Sequence, residues 1–150
     1  MSLSIRPAMP TDLPAMMALE KHAVTAAHWS NQQYQALFRA SKPGRIALTI
    51  QEEAQLRGFV IASVVGEEWE IENLAIAGRA RRRGLGTRLL GEFLDLARAK
   101  GAQTVFLEVR KSNRAARALY EKWSFTEIGR RSNYYKDPVE DAIVYRLAFT

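Results

Sequence analysis

The chain has 150 residues, 47% hydrophobic and 25% charged, with no cysteine, two histidines and a formal charge of +6. That balance suits one folded domain over residues 1–150 and excludes a disordered chain, a disulfide scaffold, thiol catalysis and a cysteine-based metal site. His22 and His28 lack an acidic cluster at ligand spacing and the N-terminus lacks a long apolar run, so we expect no metal, signal peptide or membrane span, and a cytoplasmic location.

Leu3–Arg6 reads as a short strand ahead of Pro7. Thr11 stands where it can cap a helix, with Pro14 in the first turn and Leu13, Met16, Met17, Leu19 and Glu20 following. Ser30 and Gln33 have capping-box spacing and open a second helix containing Tyr34, Leu37 and Phe38. Trp29 precedes it in a loop, either packed as a staple or turned toward an acceptor. After a turn at Lys42-Pro43-Gly44, strands are expected over 46–50, 56–65 and 71–77, with turns at Glu52-Glu53 and Gly66–Glu68.

The strand over 71–77 leads into Arg79-Ala-Arg-Arg-Arg-Gly-Leu-Gly-Thr-Arg88. Beyond it Leu85, Leu89, Leu90, Phe93, Leu94 and Ala97 recur at helical spacing until Gly101. Gly84 and Gly86 therefore mark a helix start, where unbonded N–H groups and the macrodipole attract anions. Missing β-carbons let a phosphate come close, and the five arginines of this stretch add long-range attraction. Such a stretch suits a diphosphate; a basic helix start with glycines for packing is the simpler alternative. A nucleotide-hydrolysing P-loop would need Lys-Ser/Thr after the last glycine, and a dinucleotide fingerprint a small residue at Leu89. Neither fits.

Thr104–Val109 reads as a strand parallel to 71–77, because one helix joins the two. Asn113 can cap the next helix, whose Ala116, Leu119, Tyr120 and Trp123 share a face. Strands over 125–129 and 141–147 close the chain, with 130–138 a charged, aromatic loop between them. The basic clusters at 79–88, 110–117 and 130–131 suit a multiply phosphorylated cofactor as well as they suit nucleic acid.

Five motifs occur in order: Arg81-x-x-Gly84-x-Gly86, Leu107-Glu-Val-Arg-x-Ser-Asn113, Ala118-Leu-Tyr-Glu121, Arg130-Arg131 with Tyr134-Tyr135, and Glu140-Asp-Ala142. The series resembles the GNAT N-acetyltransferases, and within them the RimI-like branch of bacterial ribosomal-protein alanine N-acetyltransferases. Ile5-Arg-Pro7, Asp12-Leu13, Glu20 and His28-Trp-Ser30 agree more loosely, so the likeness spans nearly the whole chain. One departure is Ser124, where that family usually has glycine. The resemblance implies an α/β (α+β) fold, with a mixed central sheet of about seven strands and about four helices. It implies acetyl-CoA as co-substrate, with Arg81, Arg82, Arg83, Gly84, Leu85, Gly86 and Thr87 around its diphosphate and Asn113 against its pantetheine. No metal, no direct nucleic-acid role and no membrane partner are expected.

Amide formation needs a neutral amine, and a peptide α-amine has a pKa of about 7.7–8.0. Glu108 interrupts an otherwise apolar strand, a costly place for a carboxylate without a task. The resemblance makes it the general base, acting through water; an ion pair to Arg110 or a cross-strand lysine is the alternative. It makes Tyr120 the acid that protonates the departing thiolate, where the alternative is core packing. It further implies that strand amides at Leu74, Ala75 and Ile76 meet the oxyanion, where that strand splays from its parallel neighbour. Trp29, Tyr134, Tyr135 and Glu140 would then hold the acceptor: a peptide or protein N-terminus, on this branch a ribosomal protein beginning with Ala or Ser. A small amine or a lysine side chain is a competing acceptor. A catalytically idle CoA- or ribosome-binding module is the reading from another class, against which Glu108 and Tyr120 argue.

Overall fold

The computed structural model describes residues 2–22, 29–39, 44–78 and 84–150. Its strands are β1 (Leu3–Pro7), β2 (Gly44–Glu52), β3 (Gln55–Val65), β4 (Glu68–Ile76), β5 (Thr104–Arg110), β6 (Thr126–Tyr135) and β7 (Glu140–Ala148). They form one mixed seven-stranded sheet in the order β1-β2-β3-β4-β5-β7-β6. The four α-helices among the described residues are α1 (Leu13–Lys21), α2 (Asn31–Ala36), α3 (Leu85–Ala99) and α4 (Arg114–Lys122).

The apolar stripe read along 85–97 is the buried face of α3: Leu85, Leu89, Leu90, Phe93, Leu94 and Ala97 lie in the main core with Trp69, Ile71, Val105 and Leu107. Burying its four leucines and one phenylalanine is worth on the order of 10 kcal/mol before chain entropy is counted. The opposite face of the sheet carries a second cluster, in which Leu13 and Met16 of α1 and Tyr34 of α2 pack on Phe59, Ile61 and Ala75. The sheet is thus covered on both sides around β3 and β4.

Several boundaries differ from expectation. The cap of α1 is Asp12; Thr11 lies in a short 3-10 turn over Pro10–Asp12. The Asp12 carboxylate accepts from the Met9 N–H at 2.7 Å and takes both Nη atoms of Arg6 at 2.8 Å. The Ser30–Gln33 capping box forms as read, but α2 ends at Ala36, short of Leu37 and Phe38. Lys42 and Pro43 of the expected turn lie outside the described residues. β4 begins at Glu68 rather than Ile71, because Gly66 and Glu67 suffice for the turn. β6 runs on to Tyr135, absorbing most of the expected loop. It is an edge strand exposed along nearly its whole length, so no apolar alternation marks it.

Parallel pairing of β4 with β5 covers only Glu68–Ile71 against Thr104–Leu107. β4 then continues to Ile76 along β3, and β5 to Arg110 along β7. The two strands part at a bulge: Ile61 faces Asn73 and Ala62 faces Ile71, leaving Glu72 as the extra residue. A bulge sharpens local twist and bends its strand, here away from β5. The gap that opens is the functional feature of the fold.

Candidate active site

A cleft of about 580 Å³ occupies this gap. From β4 it is lined by Glu70–Leu74 and Ile76, from the start of α3 by Gly84, Gly86 and Thr87, and from β5 by Leu107–Arg110. Asn113, Leu119 and Tyr120 of the α4 segment, Tyr134 and Tyr135 of β6, and Trp29 complete it. Residues far apart in the chain thus share one cavity.

Gly84 is the N-cap of α3 at φ 76°, a left-handed conformation that glycine adopts freely. The first helical bond is Arg88 N–H to Gly84 O at 3.1 Å, so the amides of Leu85, Gly86 and Thr87 have no acceptor within the helix. A β-carbon on Gly86 would stand 3.4 Å from Ile76 Cγ1 and 3.5 Å from Leu119 Cδ2, filling the corner between β4 and α4. The Leu85 side chain points into the core, so only its amide can serve the cleft. Arg81, Arg82 and Arg83 lie outside the described residues. The glycine corner and free helix end fit a diphosphate.

Ala77 donates its N–H to Arg57 O of β3 at 2.7 Å. Backbone groups alternate along a strand, so the Ala75 N–H also turns toward β3, while those of Leu74 and Ile76 turn to the β5 side. Of the three amides expected to meet an oxyanion, that of Ala75 turns away from the cleft, which Leu74 and Ile76 line. Ala75 is fully buried in the second core cluster instead.

Tyr120 is held by the end of α4. Phe125 N–H donates to Tyr120 O at 3.0 Å and Ser124 N–H to Glu121 O at 3.0 Å, a Schellman closure, with the Phe125 ring 5.6 Å from that of Tyr120. The position requiring a left-handed residue is Ser124, at φ 71°. Burial, reinforced by Tyr135, pushes the Tyr120 phenol well above its ordinary pKa, so it stays protonated across the working range. The Asn113 carboxamide caps α4 by accepting from Ala116 N–H at 3.1 Å.

Glu108 projects from β5 on the opposite face of the sheet from Tyr120, which packs with Leu107 and Val109. Its partner is Arg131 of β6, Nε to Oε1 at 2.9 Å, rather than Arg110 or a lysine. The Glu108 charge, more than burial, raises the Tyr134 phenol; burial, then Glu108, pushes Tyr135 up to about 12. Both tyrosines remain neutral donors beside that carboxylate. Arg131 lies over Tyr134 at 5.5 Å and Arg110 over Tyr135 at 4.5 Å.

Glu140 does not line the cleft. Its carboxylate accepts from the Ser112 N–H and bonds Arg110 Nη1 at 3.3 Å, and Arg110 also donates to the Lys136 and Pro138 carbonyls. It ties the loop before α4 to the β6–β7 turn, and so shapes the site at one remove.

Sequence reading missed four contributors. Glu70 and Glu72 line the cleft from β4; burial and the charges of Glu108 and Glu72 raise the Glu70 carboxyl, against the pull of Arg131. Arg45 bonds Glu72 at 2.8 Å and lies 5.8 Å over Trp29, closing one wall. Glu20, 4% exposed, accepts from Trp29 N–H at 2.7 Å, Asn73 Nδ2 at 3.0 Å and the Tyr34 hydroxyl. Three donors offset much of the cost of burying that carboxylate and fix Trp29 against β4. A signal existed: Glu20 lies four residues after Met16, on the apolar face of its helix.

The splayed parallel pair, the glycine corner and the acid and base candidates lining one cleft from opposite faces of the sheet define an acyl-CoA-dependent acyltransferase. The chain matches the model of the acetyltransferase (GNAT) family over residues 13–125, and it belongs to that family. It is 39% identical over 141 residues to the [ribosomal protein bS18]-alanine N-acetyltransferase of Escherichia coli K12, covering 91% of each chain. The crystal structure of the ribosomal-protein-S18-alanine N-acetyltransferase from Escherichia coli superposes with a TM-score of 0.87 at 33% identity, over 99% of this chain and 95% of that one. Ard1 from Thermoplasma volcanium gives a TM-score of 0.88 at 25% identity, over 100% and 99%. GNAT acetyltransferases use acetyl-CoA. No helix among the described residues is long and apolar enough to cross a membrane.

Proposed function

We propose that this chain is a single-domain cytoplasmic enzyme that acetylates the N-terminal α-amine of a ribosomal protein beginning with Ala or Ser. The observation that carries the proposal is the two-sided cleft. Glycine-lined helix amides and Tyr120 lie toward α3 and α4, while Glu108 and the tyrosines lie toward β6. Names of close relatives support the acceptor: they act on the alanine of ribosomal protein bS18.

When bound, acetyl-CoA supplies the acetyl thioester; the amides of Leu85, Gly86 and Thr87 hold its diphosphate and Asn113 its pantetheine. Glu108 takes the proton from the acceptor amine through water. The N–H groups of Leu74 and Ile76 receive the carbonyl oxygen as its charge grows. Tyr120 gives its proton to the departing sulfur and keeps water from that side. Trp29, Tyr134 and Tyr135 wall a slot suited to a small first side chain; Glu140 positions that wall from outside.

An α-amine has a pKa of about 7.7–8.0 against 10.4 for lysine, so roughly a hundredfold more of it is neutral at pH 7. One carboxylate acting through water meets that demand. The test is a peptide with an N-terminal Ala and an internal lysine, mapped by mass spectrometry after turnover. The acetyl group is expected on the α-amine; modification mainly on the lysine would overturn the acceptor assignment.

A further inference from the structure

We propose that the acceptor chain continues from the active-site cleft along a groove on the open face of the sheet, where Glu68 and Glu70 select basic side chains near its third to fifth residues. The inference rests on the α-amine reading above and names what that amine is attached to.

The groove follows from register. Ser63 lies opposite Glu70, Val65 opposite Glu68, Glu70 beside Phe106 and Glu108 opposite Val144. Directly paired residues project from the same face, so all seven share one side of the sheet. Among the described residues, helices α1 and α2 pack on that side around Phe59, Ile61 and Ala75, beyond the bulge at Glu72. On the remainder lies a groove of about 320 Å³, walled by Glu68, Glu70 and Arg131 over the apolar side chains of Val65, Phe106 and Val144. It shares Glu70, Leu107 and Glu108 with the active-site cleft, so the two are continuous.

Continuity and charge choose the occupant. The diphosphate corner lies at the α3 end of the cleft, which leaves this exit to the acceptor. Arg131 is the cation in the groove, and Glu108 engages it at 2.9 Å. Glu68 and Glu70 are in no ion pair among the described residues. Two such carboxylates on a chain of formal charge +6 reverse the local sign at the place where a peptide would leave the site. A basic acceptor is drawn there and an acidic one repelled. Strand residues advance about 3.3 Å each, which sets Glu70 roughly 7 Å and Glu68 roughly 13 Å along the sheet from Glu108. An extended peptide with its amine at Glu108 reaches those points with its third to fifth residues.

The experiment compares kcat/KM for peptides beginning Ala-Ser with Lys, Gln or Glu at positions three to five, using the full chain and acetyl-CoA. We expect Lys above Gln above Glu, with about tenfold between the extremes at low salt and convergence near 1 M, where the screening length is about 3 Å. In the double variant Glu68→Lys/Glu70→Lys the ratio of Lys to Glu peptides should fall to unity or invert. A ratio is unaffected by loss of folded enzyme. Equal wild-type rates for the three peptides, or a variant that keeps the preference, would overturn the groove while leaving the α-amine assignment standing. No α-amine acetylation of any peptide would overturn both.

Discussion

Replacing Ser124 by glycine should stabilise the fold. The Schellman closure of α4 puts Ser124 at φ 71°, whereas the matching closure of α3 uses Gly101 at φ 96°. There Gly101 N–H donates to Arg98 O at 3.1 Å and Ala102 N–H to Ala97 O at 2.9 Å, the same pair of bonds. A left-handed conformation costs an L-residue roughly 1–2 kcal/mol, and glycine returns about 0.4–1 kcal/mol of that through its freer unfolded chain. Ser124 is exposed, so its side chain gives up no packing. The net gain is about 0.5–1 kcal/mol. With an unfolding entropy near 2.1 cal/mol/K per residue, that raises Tm by about 2–3 °C for a chain of this length. Gly101→Ser should lose a comparable amount, since a β-carbon there would meet nothing within 4 Å and the cost is conformational. Differential scanning calorimetry of the two variants reads both shifts. A lower Tm for Ser124→Gly, or no change for Gly101→Ser, would refute the closure argument.

Glu108→Gln should slow turnover most at lower pH, where amine deprotonation limits, and leave acetyl-CoA affinity near wild type; Tyr120→Phe should lose about 10²–10⁴-fold in turnover. Single-turnover rates unchanged in both would make them structural residues. Gly86→Val should weaken acetyl-CoA binding, because its branches must enter the corner between Ile76 and Leu119; calorimetric titration of folded variant checks this, and wild-type affinity would exclude the corner as the diphosphate site. The Arg6 guanidinium, with help from the Met9 N–H, holds the Asp12 carboxyl below the usual carboxylate range. Its contribution is therefore complete above the unfolded value of about 3.9 and disappears as pH falls through the lower folded value. Denaturant titration should find Asp12→Asn about 1–3 kcal/mol weaker at pH 7, with the gap closing below about pH 4; a constant gap would contradict it.

What the sequence determined by itself is whatever depends on neighbours in the chain. The buried face of α3 follows from its 3.6-residue period, its start from Gly84 and its stop from Gly101. The cap at Asn113 and the box at Ser30–Gln33 need only side chains three residues apart. Glu108 was visible as a carboxylate in an apolar strand. Tertiary structure decided everything that depends on a second strand. The gap between β4 and β5 exists because pairing stops at Ile71 and Leu107, and the bulge at Glu72 leaves no mark in local propensity. Strand direction at that edge turned Ala75 away and left Leu74 and Ile76 facing the cleft. β6 took its length from pairing with β7, which carried Tyr134 and Tyr135 to the mouth. Glu140 lies outside the cleft because Arg110, thirty residues earlier, and the Ser112 N–H hold its carboxylate. Glu70 joined the site only through Phe106 and Glu108 on the adjoining strand. Periodicity reports which face a side chain takes, while the partner across that face is set by the path of the whole chain.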